Sequence, residues 1–173
     1  MILETERLIL REYKEEDFND LFKMISDPIT MQYYPKPYDL NGAKRWLNWS
    51  IENYKNGLGW LAITLKENGV FIGDCGITMQ NIDGKMLPEL GYHIEKNYWR
   101  KGYGKEASKK VLEYYFSNDK FEELYSYMTA KNIPSYSLAE AIGMTKIKEY
   151  YDSDNGLNYV YRITKKEWFK KAN

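Results

Sequence analysis

The sequence predicts an α+β fold, a twisted mixed β-sheet with helices on both faces. Three observations carry that prediction. Strand-like runs crowd the middle of the chain and are separated by Asn68-Gly69 and Asp83-Gly84, dipeptides suited to tight hairpins, so these strands are expected to be antiparallel neighbours. Helical periodicity brackets them on both sides. The second half holds one strand–helix–strand stretch, which implies a single parallel crossover. At 173 residues, with a 43% hydrophobic fraction and no Pro/Gly/Ser-rich linker, low-complexity run or internal repeat, the chain is expected to form one domain over 1–173.

The elements follow in order. Arg7-Leu8-Ile9-Leu10-Arg11 is a strand, and Asp17-Phe18, Leu21-Phe22 and Met24-Ile25 recur at helical spacing until Asp27-Pro28 stops them. A second helix is expected from about Asn41 to Tyr54, closed by Asn56-Gly57. Strands at Trp60–Leu65, Val70–Met79 and Leu87–Ile94 make the antiparallel centre. After Gly104, Ala107, Val111, Leu112, Tyr115 and Phe116 fall on one helix face, with Lys105, Lys109, Lys110 and Glu113 opposite. A strand at about Leu124–Thr129 and a short helix at about Pro134–Ala141 follow, the helix having Pro in its first turn and Gly143 past its end. Strands at Thr145–Tyr151 and Leu157–Ile163 flank Asp152-Ser153-Asp154-Asn155-Gly156, which resembles the start of a calcium loop. Its glycine comes one position early and the downstream acid is missing, so a hairpin is expected there. The lysine pairs around Trp168-Phe169 are expected to form a solvated helix face.

Composition excludes several classes of function. Lys and Arg total 25, as do Asp and Glu, and this zero net charge removes the electrostatic basis for general nucleic-acid binding. No apolar run is long enough for a membrane span, and the acidic start Met1–Glu6 does not resemble an export signal, so a cytoplasmic location is expected. One cysteine, Cys75, and one histidine, His93, allow neither a disulfide framework nor a zinc site of Cys and His. Chemistry is left to carboxylates, hydroxyls, backbone amides and a bound cofactor.

The richest stretch is Asn97-Tyr98-Trp99-Arg100-Lys101-Gly102-Tyr103-Gly104-Lys105-Glu106-Ala107, between a strand and an amphipathic helix. Glycines at such a junction let successive N–H groups converge, and the helix N-terminus adds partial positive charge, so a pyrophosphate fits. Arg100, Lys101 and Lys105 would add charge or, alternatively, serve as solvated surface. A Walker loop is excluded, because the earlier glycine is absent and Glu106 follows Lys105. A dinucleotide fingerprint matches Gly102, Gly104 and Ala107, with Glu122 or Glu123 downstream, but the segment from Glu95 to Lys101 intervenes after the strand and only one crossover exists.

A third reading covers more of the chain. Leu90-Gly91-Tyr92-His93-Ile94, the Trp99–Gly104 loop, Asn132-Ile133-Pro134-Ser135 and Ile142-Gly143-Met144 together resemble the Gcn5-related N-acetyltransferase superfamily. With the opening Thr5–Arg11, the chain is similar to the branch of bacterial ribosomal-protein N-terminal acetyltransferases. The resemblance implies a splayed parallel strand pair forming an acetyl-CoA cleft. Arg100, Lys101, Gly102, Tyr103, Gly104 and Lys105 would bind the coenzyme A pyrophosphate, and the backbone of Tyr92, His93 and Ile94 would pair with pantetheine amides. Asn132 would hydrogen-bond the pantetheine. Trp99 stands where much of the superfamily has Gln or Arg, and Ala139 stands where many members carry a tyrosine acid.

Transfer of acetyl to an amine needs a neutral nitrogen and a proton for the departing thiolate. Glu89 matches a glutamate base of several branches and is the first candidate; strand alternation places it with Gly91 and His93 on one face, and its alternative role is an edge-exposed carboxylate. His93 is the second candidate base, with a structural hydrogen-bonding role as its alternative. Ser135 matches the branch's serine and could protonate the thiolate or merely cap its helix. Cys75 is expected to be a buried apolar residue. Tyr33, Tyr34, Tyr38, Trp46, Trp49 and Trp60 could line the acceptor pocket or serve as core. The resulting expectation is an N-acetyltransferase acting on a protein N-terminus or a small-molecule amine, with a non-catalytic acyl-CoA-binding module as the alternative. A homodimer is left open.

Overall fold

The computed structural model describes residues 1–172. Among the described residues eight strands form one sheet: β1 (Ile2–Glu4), β2 (Leu8–Glu12), β3 (Gly59–Leu65), β4 (Phe71–Ile82), β5 (Lys85–Ile94), β6 (Glu123–Thr129), β7 (Thr145–Asp152) and β8 (Gly156–Thr164). Their order is β1-β2-β3-β4-β5-β6-β8-β7. Helices α1 (Phe18–Ser26), α2 (Leu40–Asn53), α3 (Tyr103–Ser117), α4 (Ile133–Ala141) and α5 (Lys165–Ala172) decorate it. The expected α+β architecture is present. Two differences from the sequence reading are β1, three residues that pair antiparallel with β2, and the extension of β4 to Ile82.

Asn68-Gly69 and Asp83-Gly84 close the two central antiparallel hairpins, with Gly69 and Gly84 in the left-handed region. Every residue of β3 is buried, because the sheet is covered on both sides. On one face, Leu61, Ile63, Ile77 and Leu90 pack with Ala107, Val111 and Phe116 of α3 and with Ala139 of α4. On the other, Trp60, Ala62 and Tyr13 pack with Leu21, Met24 and Ile25 of α1 and Leu47 of α2. Trp168 of α5 packs on Phe116; the side chain of Lys171 lies outside the described residues.

Local signals hold the helix ends. Asp39 Oδ1 accepts from the Gly42 N–H at 2.7 Å to start α2. Asn132 Oδ1 accepts from the Ser135 N–H at 3.2 Å to start α4. Ahead of α1, Arg11 makes a two-bond fork with Asp17, both contacts at 2.7 Å. The calcium-like turn is a hairpin, as expected. Asp152 Oδ1 accepts from the N–H groups of Asp154 and Asn155, and its Oδ2 accepts from Asn158 Nδ2, bonds that hold its carboxyl below the usual carboxylate range.

Among the described residues the only parallel pair is β5–β6, joined through α3, and its register contains a single match, Glu89 with Tyr125. Beyond it the strands diverge. The Leu90 carbonyl is met by the Ser126 hydroxyl at 2.5 Å in place of a backbone N–H. Successive residues point their backbone groups to opposite strand edges, so Leu90, Tyr92 and Ile94 turn theirs toward the gap. This divergence opens the sheet between β5 and β6.

Candidate active site

The gap leads into a cleft of about 930 Å3. One half of the cleft is built from the β5 edge, the Arg100–Lys105 segment and the start of α4. Arg100 and Gly102 both adopt left-handed backbone, with φ of 60° and 81°. The residue before α3, Gly102, has no side chain to cap it, so the first N–H groups of the helix remain for an anion. Gly104 permits close packing: a Cβ there would lie 3.1 Å from both Leu138 Cδ1 and a Tyr92 ring carbon. This half fits a pyrophosphate followed by an extended amide-bearing arm.

Several expected residues line that half: Tyr92, Ile94, Arg100, Gly102, Tyr103, Gly104, Lys105, Asn132 and Ser135. Lys101 does not. Its ammonium lies over the Tyr98 ring, 5.3 Å from the centroid, and its carbonyl accepts from Arg7. The expected backbone role of His93 also conflicts with the register, since a Cβ on Gly73 of β4 would lie 2.1 Å from the His93 carbonyl oxygen. That oxygen faces β4, away from the gap. The Ile94 carbonyl accepts from Trp99 Nε1 at 2.6 Å, which leaves Tyr92 with the least encumbered backbone among the three.

Ser135 is not the cap of α4, because the side chain of Asn132 performs that task. The Ser135 hydroxyl instead lies beside the phenol of Tyr92 and opposes in part the burial that pushes the phenol's pKa up to about 12. This phenol lies outside the sequence expectation, which assigned Tyr92 by its backbone alone. Ala139 is buried in the core and offers no acid. Cys75 is fully buried beside Ser108, and burial pushes its thiol pKa well up, consistent with a core residue.

The other half of the cleft is aromatic. Tyr33, Tyr34, Tyr38, Trp46 and Trp60 line it, whereas Trp49 sits on the outer side of α2 and does not. Trp46 and Trp60 stack with centroids 5.1 Å apart and an interplanar angle of 18°. Trp60 can lie across β5 only because Gly91 lacks a side chain; a Cβ there would be 2.4 Å from the indole. Glu89 and His93 flank that glycine on the same face, as alternation requires.

Glu89 is 9% exposed, and burial raises its pKa to about 8, opposed only in part by a long contact from the Thr78 hydroxyl at 3.5 Å. His93 is equally enclosed, with Nδ1 on Asp74 and Nε2 on Tyr34. Asp74 is the principal site residue that residue types did not single out. Its signal is an acid inside the otherwise apolar run Phe71–Ile77. Among the described residues no cluster of His, Cys, Asp and Glu could hold a metal ion, and no helix is long and apolar enough to cross a membrane.

Comparison with known proteins accords with this geometry. Residues 7–145 match the Acetyltransferase (GNAT) domain family. The chain is 35% identical to the protein YkkB of Bacillus subtilis over 146 residues, covering 82% of this chain and 84% of that one. It is 28% identical to the N-acetyltransferase YnaD of the same organism, covering 97% and 99%. Its fold superposes on an acetyltransferase of Agrobacterium tumefaciens with a TM-score of 0.82 at 30% identity, covering 94% of each chain. A parallel strand pair that splays beside a glycine-bearing helix start, carried by a sequence that matches over most of its length, makes this chain a member of the GNAT acetyltransferase family, acyltransferases that use acetyl-CoA.

Proposed function

We propose that the whole chain, 1–173, acts as one acetyl-CoA-dependent N-acetyltransferase domain of the cytoplasm, moving acetyl to a primary amine by direct attack. The observation that carries this reading is Glu89, a buried carboxyl with a pKa of about 8 in the aromatic half of a cleft whose other half suits a pyrophosphate. Acetyl-CoA supplies an activated thioester; the chain's own residues supply position and proton transfer. The first turn of α3, with Arg100 and Lys105, receives the pyrophosphate, and the Tyr92 backbone pairs with the pantetheine arm. Asn132, its oxygen engaged in the cap, has its amide nitrogen available to a cofactor carbonyl.

An ammonium entering the dry aromatic half favours the charged form of Glu89, because opposite charge stabilises a carboxylate. Glu89 then takes one proton from nitrogen. An α-amine has a pKa of about 8, so transfer to Glu89 is nearly balanced, whereas a lysine-type amine at about 10.4 requires roughly 3 kcal/mol more. Attack of the nitrogen on the acetyl carbon would break the carbon–sulfur bond; the Ser135–Tyr92 hydroxyl pair would give the departing thiolate a proton and be refilled by the second proton leaving the nitrogen. The acceptor is a protein N-terminus or a small-molecule amine whose apolar part packs on Trp46 and Trp60.

The test is a thermal-shift comparison of coenzyme A with NAD, followed by free-thiol release from acetyl-CoA with a panel of primary amines. Stabilisation by coenzyme A alone and amine-dependent release are expected. Coenzyme A binding without release for any amine would leave an acyl-CoA-binding module, and stabilisation by NAD would overturn the cofactor assignment.

A further inference from the structure

Four side chains far apart in the sequence form one hydrogen-bonded chain: Tyr13 after β2, Tyr34 between α1 and α2, Asp74 in β4 and His93 in β5. Asp74, fully buried, accepts at Oδ2 from the Tyr13 hydroxyl at 2.9 Å, and its Oδ1 lies 2.8 Å from His93 Nδ1. A carboxylate only accepts, so Nδ1 carries the hydrogen and, in the neutral imidazole, Nε2 presents a lone pair. Tyr34 Oη stands 2.5 Å from that Nε2 and must donate to it. The single phenolic hydrogen is therefore engaged, and Tyr34 offers the cleft lone pairs only. Although Tyr34 is 40% exposed overall, its hydroxyl end is bound to His93 inside the cleft that Glu89 also lines.

We propose that Tyr34, held as a pure acceptor by the His93–Asp74–Tyr13 chain, takes one N–H of the acceptor amine while Glu89 takes the other, and so selects primary over secondary amines. The proposal rests on the acetyl-transfer reading above. A neutral primary amine has two N–H bonds and one lone pair. Two acceptors from the protein and the electrophilic carbon of the thioester use all three. A secondary amine has one N–H and leaves one acceptor facing a methyl group in a desolvated site, where an unmet polar group is costly.

Nothing in the pocket's aromatic lining alone makes this distinction, because Trp46 and Trp60 would receive an added methyl group favourably. Selectivity against the methylated amine thus reports the polar pair and not pocket shape. The role of His93 changes accordingly. It is a positioning residue that acts through Tyr34, with Asp74 setting its tautomer.

The test compares an amine and its N-methyl counterpart. Wild-type protein is expected to prefer the primary amine by at least about tenfold in kcat/KM. Tyr34→Phe should raise KM for the primary amine and bring the ratio toward one, with coenzyme A affinity unchanged. His93 is the only histidine, so a long-range proton–nitrogen spectrum reports its tautomer without ambiguity, and the Nδ1–H form is expected. Asp74→Asn, which lets residue 74 donate to Nδ1, should switch it to Nε2–H and reproduce the Tyr34→Phe kinetics without touching substrate. If Asp74→Asn does not fold, the wild-type spectrum and Tyr34→Phe still decide. Turnover with an unchanged ratio in Tyr34→Phe, or an Nε2–H tautomer in the wild type, overturns this proposal alone. Absence of turnover with every amine overturns the acetyl-transfer reading and this proposal with it.

Discussion

Replacing Glu89 by glutamine keeps the shape of the side chain and removes its ability to take a proton. The magnitude follows from burial. Glu89 is 9% exposed and its pKa rises from the ordinary 4.5 to about 8. At about 1.4 kcal/mol per pKa unit, that rise corresponds to an upper bound of roughly 5 kcal/mol in the preference of the folded protein for the neutral carboxyl. The folded pKa lies above the unfolded one, so this stabilisation is complete below pH 4.5 and is lost as pH rises through 8. A glutamine side chain carries no charge at any pH. The Glu89→Gln variant is therefore expected to keep its melting temperature between pH 7 and 9 while the wild type falls. Catalysis should move the other way, with a rate at saturating acetyl-CoA lower by about 10²-fold at pH 7, the low end for loss of a general base. Raising pH should partly restore it by supplying neutral amine. Parallel melting curves and free-thiol assays from pH 6 to 9 check both effects. A Glu89→Gln protein with wild-type turnover across that range would refute the assignment of the base.

Gly104→Val would place a branched side chain where a single Cβ already lies 3.1 Å from Leu138 and Tyr92, so calorimetry should show coenzyme A affinity down at least about tenfold, with a folded circular-dichroism spectrum. Unchanged affinity in a folded protein would remove the α3 start from the cofactor site. Ser135→Ala should slow turnover roughly 10- to 150-fold, the worth of one hydrogen bond to a charged group, with little change in melting temperature because Asn132 holds the cap. A less stable protein with normal turnover would return Ser135 to a structural role. Glu106→Gln should weaken the tie between the β1–β2 turn and α3, where the carboxylate accepts from Thr5 and Arg7. These partners hold its pKa below the usual range, so its contribution is present above the unfolded carboxylate pKa and is lost as pH falls through the folded one. Denaturation at neutral pH should show a loss of about 1–3 kcal/mol that shrinks in acid, and a pH-independent difference would contradict this.

The fold was legible where local chemistry decides conformation. Asn68-Gly69 and Asp83-Gly84 specify tight turns, and the apolar spacing of Ala107, Val111 and Phe116 specifies which face of α3 is buried. The segment Ile2-Leu3-Glu4 is too short to show a period, so β1 emerges only from its pairing with β2. The place of β7 at the sheet edge, with β8 against β6, depends on packing that no local signal encodes. The pairing of Asp74 with His93 was closer to the surface of the sequence. A two-residue turn matches Ile82 with Lys85, and counting outward in register brings Asp74 opposite His93. Neither residue type alone reveals that meeting, nor the approach of Tyr34 from a connection without regular periodicity. Trp46 and Trp49 look alike in a helical pattern, and only the docking of α2 separates the pocket wall from the outer surface. Lys101 turns away from the cleft for a related reason: the direction of one side chain in a left-handed turn follows from the backbone at Arg100 and Gly102.

The most direct measurement is a side-by-side count of free coenzyme A thiol and N-acetylated amine formed from acetyl-CoA and a primary amine of pKa near 8, by the wild type and by Glu89→Gln at pH 7. Equal amounts of the two products in the wild type, formed about 10²-fold faster than in the variant, are expected. Thiol release without acetylated amine, or equal rates in the two proteins, would contradict acetyl transfer through Glu89.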